Sequence, residues 1–122
     1  MNEEELKRRT KQFGLRIIGL VESLPNKTTA RTIGNQLLRS GMSVGANYRS
    51  ACRGKSKADF IAKVGISLEE ADECLYWLEL LQESGIVPGE KLSDLGKEAN
   101  ELVAIFTATI KTARAHIRSQ AL

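Results

Sequence analysis

The sequence predicts an all-α protein, folded as an antiparallel up-down-up-down four-helix bundle. Apolar residues recur at intervals of three and four along four long segments, and no stretch alternates apolar and polar residues as a strand would. Both prolines, Pro25 and Pro88, fall between these segments. Because short connections make neighbouring helices antiparallel, four such segments give one up-down bundle. The length of 122 residues predicts a single domain over residues 1–122.

The first predicted helix runs from about Glu3 to about Leu24, and Pro25-Asn26 ends it. Three glutamates in its first turn complement the positive end of the helix dipole. One face of the helix is apolar and is expected to point inward. This face carries Leu6, Phe13, Ile17, Leu20 and Leu24.

The second predicted helix begins at Lys27 or Thr28 and ends near Arg53. Gly54 is expected to close it, since glycine adopts a left-handed conformation without steric cost. The inward stripe of this helix comprises Ala30, Ile33, Leu37, Gly41, Val44, Tyr48 and Ala51.

Three glycines, Gly34, Gly41 and Gly45, lie inside the second predicted helix. Each weakens a helix by roughly 1 kcal/mol relative to alanine, so another interaction must offset the loss. We expect them to allow close approach of a neighbouring helix, with a partner chain packed against them as the alternative.

The third predicted helix begins at a capping box, in which Ser56 is followed three residues later by Asp59. It ends at Ser84-Gly85. Its main inward stripe comprises Phe60, Val64, Ser67, Ala71, Cys74, Leu78 and Leu81.

A second apolar row repeats every seven residues on the same helix. A helix that is apolar on two sides is either central to its domain or shared with another subunit. We therefore expect a homo-oligomer, with an interface that includes Ile61, Leu68, Leu75 and Trp77.

The fourth predicted helix starts at Glu90 or Ser93, beyond Pro88-Gly89, and reaches about Arg118. The tail from Ser119 to the end of the chain is expected to fray. The inward positions are Leu92, Leu95, Ala99, Leu102, Phe106, Ile110, Ala113 and Ile117.

Composition argues against several classes of protein. No apolar run is long enough to span a membrane, and the charged N-terminus does not resemble a secretory signal, so a cytoplasmic protein is expected. Cys52 and Cys74 are too few for a disulfide framework or a closed zinc site, and His116 is the only histidine. No metal, cofactor or catalytic residue is predicted, and we expect the protein not to be an enzyme.

Charge is distributed unevenly along the chain. Residues 27–63 hold eight lysines and arginines and one acid, whereas residues 64–101 hold ten acids and two lysines. Segments of opposite sign usually neutralise each other in a fold. Pairing the second and third helices as a hairpin places Arg39 near Glu69 and Glu70, and Arg31 near Glu79.

Five cations find only one acid, Asp59, opposite them in this hairpin. They are Arg49, Arg53, Lys55, Lys57 and Lys63. Repeated around an oligomer, they would form a basic rim that binds the phosphates of RNA or DNA with little sequence preference. The alternative is a solvated charged surface without a ligand.

Other polar and aromatic residues favour structural roles. Asn47, near the inner stripe, is expected to fix register or bond a neighbouring helix rather than act in catalysis. Tyr48 and Trp77 could stack a base, but their helical spacing favours packing. Cys52 lies between two arginines, which favours its thiolate, although no histidine lies nearby in sequence to act as a base.

Three sequence motifs resemble a known family. They are RSGMSVGAN at residues 39–47, GKSKADF at 54–60 and SLEEA at 67–71. The chain resembles, over roughly Ser23 to Val87, the bacterial 23S rRNA-intervening-sequence proteins, also called S23-type proteins. It departs from the family at Ser50, where members commonly carry a glutamate.

The resemblance implies a four-helix bundle that assembles into a ring, typically a homopentamer. It implies little about activity, because the family name reflects where the genes lie. A distant relation, the accessory variability proteins of diversity-generating retroelements, forms basic barrels that bind a reverse transcriptase and nucleic acid.

These observations together predict a non-catalytic, oligomeric, cytoplasmic protein that binds RNA or DNA through a basic rim. The alternative is a scaffold that binds another protein and no nucleic acid.

Overall fold

Four α-helices form the fold in a computed structural model that describes residues 1–121. They are Glu3–Glu22 (α1), Thr28–Cys52 (α2), Lys57–Glu83 (α3) and Gly89–Ala121 (α4), and no strand occurs in that range. Helix α2 packs between α1 and α3, α3 packs against α4, and α1 and α4 meet over a smaller area. The predicted antiparallel four-helix bundle is confirmed.

The helix ends follow the local sequence closely. The amide of Glu5 donates to the Asn2 side chain at 2.8 Å, which caps α1. The predicted cap of α3 is present, because the Asp59 amide donates to Ser56 Oγ at 3.0 Å. The fraying expected from Ser119 is wrong as far as Ala121, since α4 continues to that residue. Leu122 lies outside the described residues.

Gly54 does not adopt the left-handed conformation predicted for it. Gly85, which follows α3, is the one residue with positive φ in the described chain, at 77°. Gly54 is needed for space instead. A Cβ atom there would lie 2.6 Å from Asp59 Oδ2 and 3.0 Å from the carbonyl oxygen of Ala51, so the capping residues of α3 fold back over the end of α2.

The core lies where the four inward stripes meet. Its largest fully buried side chains include Phe13, Ile17, Leu37, Leu102 and Phe106. Most residues predicted to face inward are buried. Those nearer the helix ends are only half-buried, namely Leu20, Leu24, Ile33, Phe60 and Ile117.

The three interior glycines of α2 all lie against α1, as predicted for close helix approach. A Cβ atom at Gly41 would meet Ile17 at 2.7 Å, and one at Gly45 would meet the backbone of Thr10 at 3.3 Å. A Cβ atom at Gly34 would meet Val21 of α1 at 3.4 Å, and Leu24 just beyond the end of α1 at 3.0 Å. The closeness of α1 and α2 therefore depends on these positions lacking a side chain.

Buried hydrogen bonds fix α2 against α3. Ser67 Oγ donates to the carbonyl oxygen of Val44 at 2.9 Å. Two turns further along α3 and one turn back along α2, the Cys74 thiol donates to Ser40 Oγ at 3.4 Å. The two contacts set the height at which α2 and α3 pair, and no buried polar side-chain atom of the described residues lacks a hydrogen-bond partner.

Candidate nucleic-acid interface

Three of the predicted cations surround the turn between α2 and α3. Arg53, Lys55 and Lys57 are all exposed, and none has a carboxylate oxygen within 4.0 Å in residues 1–121. Arg49 is exposed one turn earlier on α2 and likewise forms no ion pair with the described residues. The structure thus brings four of the five predicted residues to one end of the bundle with their charges uncompensated.

Lys63 differs from the other four. Its Nζ lies 3.2 Å from Asp59 Oδ2, one turn earlier on α3, and both side chains are about one-third exposed. A lysine four residues after an aspartate on one helix commonly forms such a pair. Lys63 and Asp59 therefore neutralise each other.

The C-terminal part of α4 adds cations to the same end. Because α4 runs antiparallel to α3, its last turns lie beside the first turns of α3. Lys111, Arg114 and Arg118 line a groove between α4 and the third and fourth turns of α3, together with Leu68 and the acid Glu69. None of the three cations forms an ion pair within the described chain. The sequence interpretation did not assign them to the site, although antiparallel pairing of α3 and α4 would have placed them.

The acids near this end are partly neutralised by their own neighbours. Lys7 Nζ lies 3.4 Å from Glu3 Oε1 and 3.3 Å from Glu4 Oε1, all on the first turns of α1. These contacts raise the pKa of Lys7, Glu4 having the larger effect. No carboxylate of α1 lies within 4.0 Å of Arg53, Lys55 or Lys57.

The predicted neutralisation between α2 and α3 is correct in part at Arg39, which pairs with Glu70 but not with Glu69, and wrong at Arg31. Arg39 lies 3.1 Å from Glu70 and also pairs with Glu73, which raises its pKa. Arg31 bonds instead to the Asn26 and Thr28 side chains. Because Arg31 lies in the first turn of α2, these residues at the start of the helix are nearer than Glu79.

Comparison with known proteins then decides the family. The family model described as 23S rRNA-intervening sequence protein matches residues 2–108. The chain belongs to this family. A comparison with curated proteins finds no match.

A solved structure is similar over nearly the whole chain. It is a crystal structure from Bacteroides thetaiotaomicron, described as a protein of unknown function from the S23 ribosomal protein family. The two chains share 36% sequence identity and superpose with a TM-score of 0.85, over 91% of this chain and 99% of the other. The four-helix fold is therefore shared with a solved member of the S23 ribosomal protein family.

In the present chain, the residues predicted for an oligomer interface are half-buried. Ile61, Leu68, Leu75 and Trp77 all pack against the core of their own bundle. Leu68 and Leu75 line grooves shared with α4, so much of this second row is used within the chain. Contact of the four residues with another subunit stays a prediction.

Tyr48 and Asn47 have structural roles. The Tyr48 ring is buried, with its centroid 6.0 Å from that of Phe106, and burial raises the pKa of its hydroxyl. Packing rather than base stacking is therefore its role. Asn47 Nδ2 donates to the carbonyl oxygen of Ser43 on its own helix, at 2.9 Å, not to a neighbouring helix as one of its predicted roles required.

Neither thiol has the environment of a reactive thiolate. Burial raises the pKa of Cys52, which corrects the expectation that its flanking arginines favour the thiolate. Its neighbours include Tyr48 and Glu3 rather than those arginines. Cys74 is fully buried, and burial raises its pKa to about 11.

The described part of the chain has neither a candidate metal centre nor a helix suited to span a membrane. No group of three or more His, Cys, Asp or Glu side chains is arranged to hold a metal ion. None of the helices combines the length and the apolar character that crossing a membrane requires.

Proposed function

We propose that this member of the family is a non-catalytic, self-associating protein that binds RNA or DNA through one end of its bundle. We call this surface the basic end. It comprises Arg53, Lys55 and Lys57 around the turn between α2 and α3, and Lys111, Arg114 and Arg118 of α4. Arg49, one turn earlier on α2, borders this surface.

One observation carries the proposal. Arg53, Lys55 and Lys57 surround a single tight turn, are exposed, and have no carboxylate within ion-pairing distance in residues 1–121. The nearest acid on α3, Asp59, is already paired with Lys63 at 3.2 Å. Like charges that repel one another are stabilised when an anionic ligand binds, and a phosphate backbone supplies regularly spaced anions.

Phosphate contacts determine what kind of binding is expected. Flexible lysines and arginines on a convex turn hold the backbone but do not read base edges in a groove. Binding should therefore depend steeply on salt and little on sequence. Self-association would place several basic ends side by side, and the pentameric ring implied by the family resemblance is the assembly we propose.

The groups near the site that could act as a nucleophile or a base are not arranged for catalysis, which supports a non-catalytic role. The thiol nearest the basic end is Cys52, which burial keeps protonated. The single histidine, His116, lies on α4 in an open groove with Lys57 and Phe60. The group beside Cys52 is the Glu3 carboxylate, and the hydrogen bond from the thiol lowers the pKa of Glu3. This carboxylate is therefore a weaker base than an activated nucleophile requires.

The experiment measures binding of a short mixed-sequence RNA, and of the matching DNA, by fluorescence anisotropy at low and at high salt. Reversing two charges in Arg53→Glu/Lys57→Glu should abolish binding at low salt without unfolding the helices. The control, Lys91→Glu/Lys97→Glu, reverses two exposed cations at the opposite half of α4 and should bind normally. Equal affinity of both variants would exclude the basic end.

A protein-interaction scaffold is the second candidate function. The observation that favours it is the exposure of several large apolar side chains, among them Leu15, Met42 and Tyr76. A stable partner retained at high salt would support this function, because phosphate contacts weaken there.

A further inference from the structure

We propose that two different surfaces of this chain bind each other between copies, so that neighbouring bundles pack side by side. The first is a groove between α1 and α2, and the second is the outer face of α3. The inference deepens the self-association within the proposed function and rests on it.

The first surface, which we call the basic groove, is apolar with cations along it. Its lining includes Lys11, Gly14, Leu15, Met42, Gly45 and Arg49. Leu15 and Met42 are 52% and 48% exposed. Lys11 and Arg49 are exposed and form no ion pair with the described residues. The glycines leave a depression into which side chains of another helix can fit.

The second surface, which we call the acidic face, has the opposite charge. It consists of Ile66, Glu69, Asp72 and Tyr76, spaced by three and four residues on the exposed side of α3. Ile66 and Tyr76 are 41% and 54% exposed. Glu69 and Asp72 form no ion pair within residues 1–121.

The exposed apolar residues are concentrated on these two surfaces. Five large apolar side chains are exposed in the described chain, and four of them are Leu15, Met42, Ile66 and Tyr76. Apolar area left in water beside charges of one sign indicates an interaction site, and matching area beside charges of the other sign indicates its partner.

The two surfaces also lie at the same height along the bundle. Gly45 packs on the backbone of Thr10, which places Lys11 beside this part of α2. The preceding residue of α2, Val44, accepts a hydrogen bond from Ser67 of α3 at 2.9 Å. Ile66 and Lys11 therefore lie within about one helical turn of the same level.

This geometry determines the form of the assembly. The basic groove and the acidic face belong to different sides of one bundle, so their contact is heterologous and each copy keeps one surface free for the next. Because the surfaces share a height, the contact adds little shift along the helix axes. A closed ring is therefore favoured over a filament, and it would present all the basic ends on one side.

A charge exchange between separate variants tests the contact. The groove variant is Lys11→Glu/Arg49→Glu and the face variant is Glu69→Lys/Asp72→Lys. We expect each alone to sediment as a folded monomer of about the 13.4 kDa chain mass. An equimolar mixture should regain the mass of the native assembly, since the reversed charges again match. The control variant Lys91→Glu/Lys97→Glu should keep the native mass.

The outcomes separate this inference from the function on which it rests. A native chain that sediments as a monomer at micromolar concentration would overturn this inference and the self-association on which it rests, but not RNA binding at the basic end, which the anisotropy experiment tests. A native oligomer that survives either double variant, or a mixture that fails to reassemble although both variants are helical by circular dichroism, would overturn the pairing alone. A native monomer whose groove captures an added acidic amphipathic peptide would assign the groove to a partner protein instead.

Discussion

Ile17 of α1 fills the space that a side chain at Gly41 of α2 would occupy. A Cβ atom built at Gly41 lies 2.7 Å from Ile17 Cγ2 and 2.8 Å from Cγ1, well inside van der Waals contact. Ile17 is fully buried, so it has no room to turn away. The distance between α1 and α2 is therefore set by a branched side chain that packs onto bare backbone.

Replacing Gly41 with alanine should destabilise the bundle. Overpacking a tight core costs about 1–3 kcal/mol, which exceeds the gain in helix propensity of about 1 kcal/mol. The free energy of unfolding from urea titration measures the difference. Gly19→Ala is the matched control, because a Cβ atom there meets nothing within 4 Å and the variant should be more stable than the native chain. Equal stability of the two variants would contradict the role of Ile17.

The ion pair between Arg9 and Glu98 should couple α1 to α4. Arg9 Nε and Nη2 each lie 2.7 Å from one oxygen of Glu98, and the two side chains are 26% and 14% exposed. Two parallel bonds in a partly buried site are stronger than a surface pair. A double-mutant cycle with Arg9→Gln and Glu98→Gln should give a coupling of about 1–2 kcal/mol. A coupling energy near zero would mean that apolar packing alone stabilises the contact between α1 and α4.

The helices could be predicted because the spacing of apolar residues can be read from each segment alone, without knowing which helices pack against it. The stripe through Leu37, Val44 and Ala51 repeats by seven in the sequence and is buried in the structure. The glycine contacts of α2 with α1 were also predicted, since a glycine inside a helix needs a compensating approach.

The candidate site was predicted only in part. Which charged side chains pair depends on how each helix is rotated about its own axis, and the sequence does not give that rotation. Hairpin pairing treated Lys63 as uncompensated, although Asp59 four residues earlier on the same helix is its partner. The row through Leu68 and Leu75 was predicted to be free for another subunit, but α4 half covers it. The sequence of α3 alone does not show which side of that helix α4 packs against. The exposed pair Leu15 and Met42 comes from two helices and has no periodic signal.

Stability should fall in alkaline solution because of Cys74. Its ordinary pKa of 9.0 rises to about 11 in the fold, since burial disfavours the thiolate. Between these values the unfolded chain has lost the proton that the folded chain keeps, so the free energy of unfolding decreases as pH rises. The loss is about 2 kcal/mol by pH 11.

Comparison with a Cys74→Ala variant isolates this thiol. The other groups that titrate in this range, such as Tyr48 and Cys52, are present in both proteins. The native chain should lose stability more steeply between pH 9 and 11, although the variant starts lower because it leaves a small cavity. Parallel pH profiles would show that the fold does not raise the pKa of Cys74.

The number of phosphates held at the basic end should appear in the salt dependence of binding. For single strands, the logarithm of the binding constant falls with the logarithm of salt concentration by about 0.7 per phosphate contact. Lys57 is exposed at the start of α3 and unpaired in residues 1–121, so Lys57→Gln should weaken RNA binding and reduce this slope by about 0.7. Lys91→Gln, which removes an equally exposed lysine at the far end, should leave the slope unchanged. If Lys57→Gln lowers affinity but keeps the native slope, the residue supports the site without contacting phosphate, and the contacts would have to come from the other cations of the basic end.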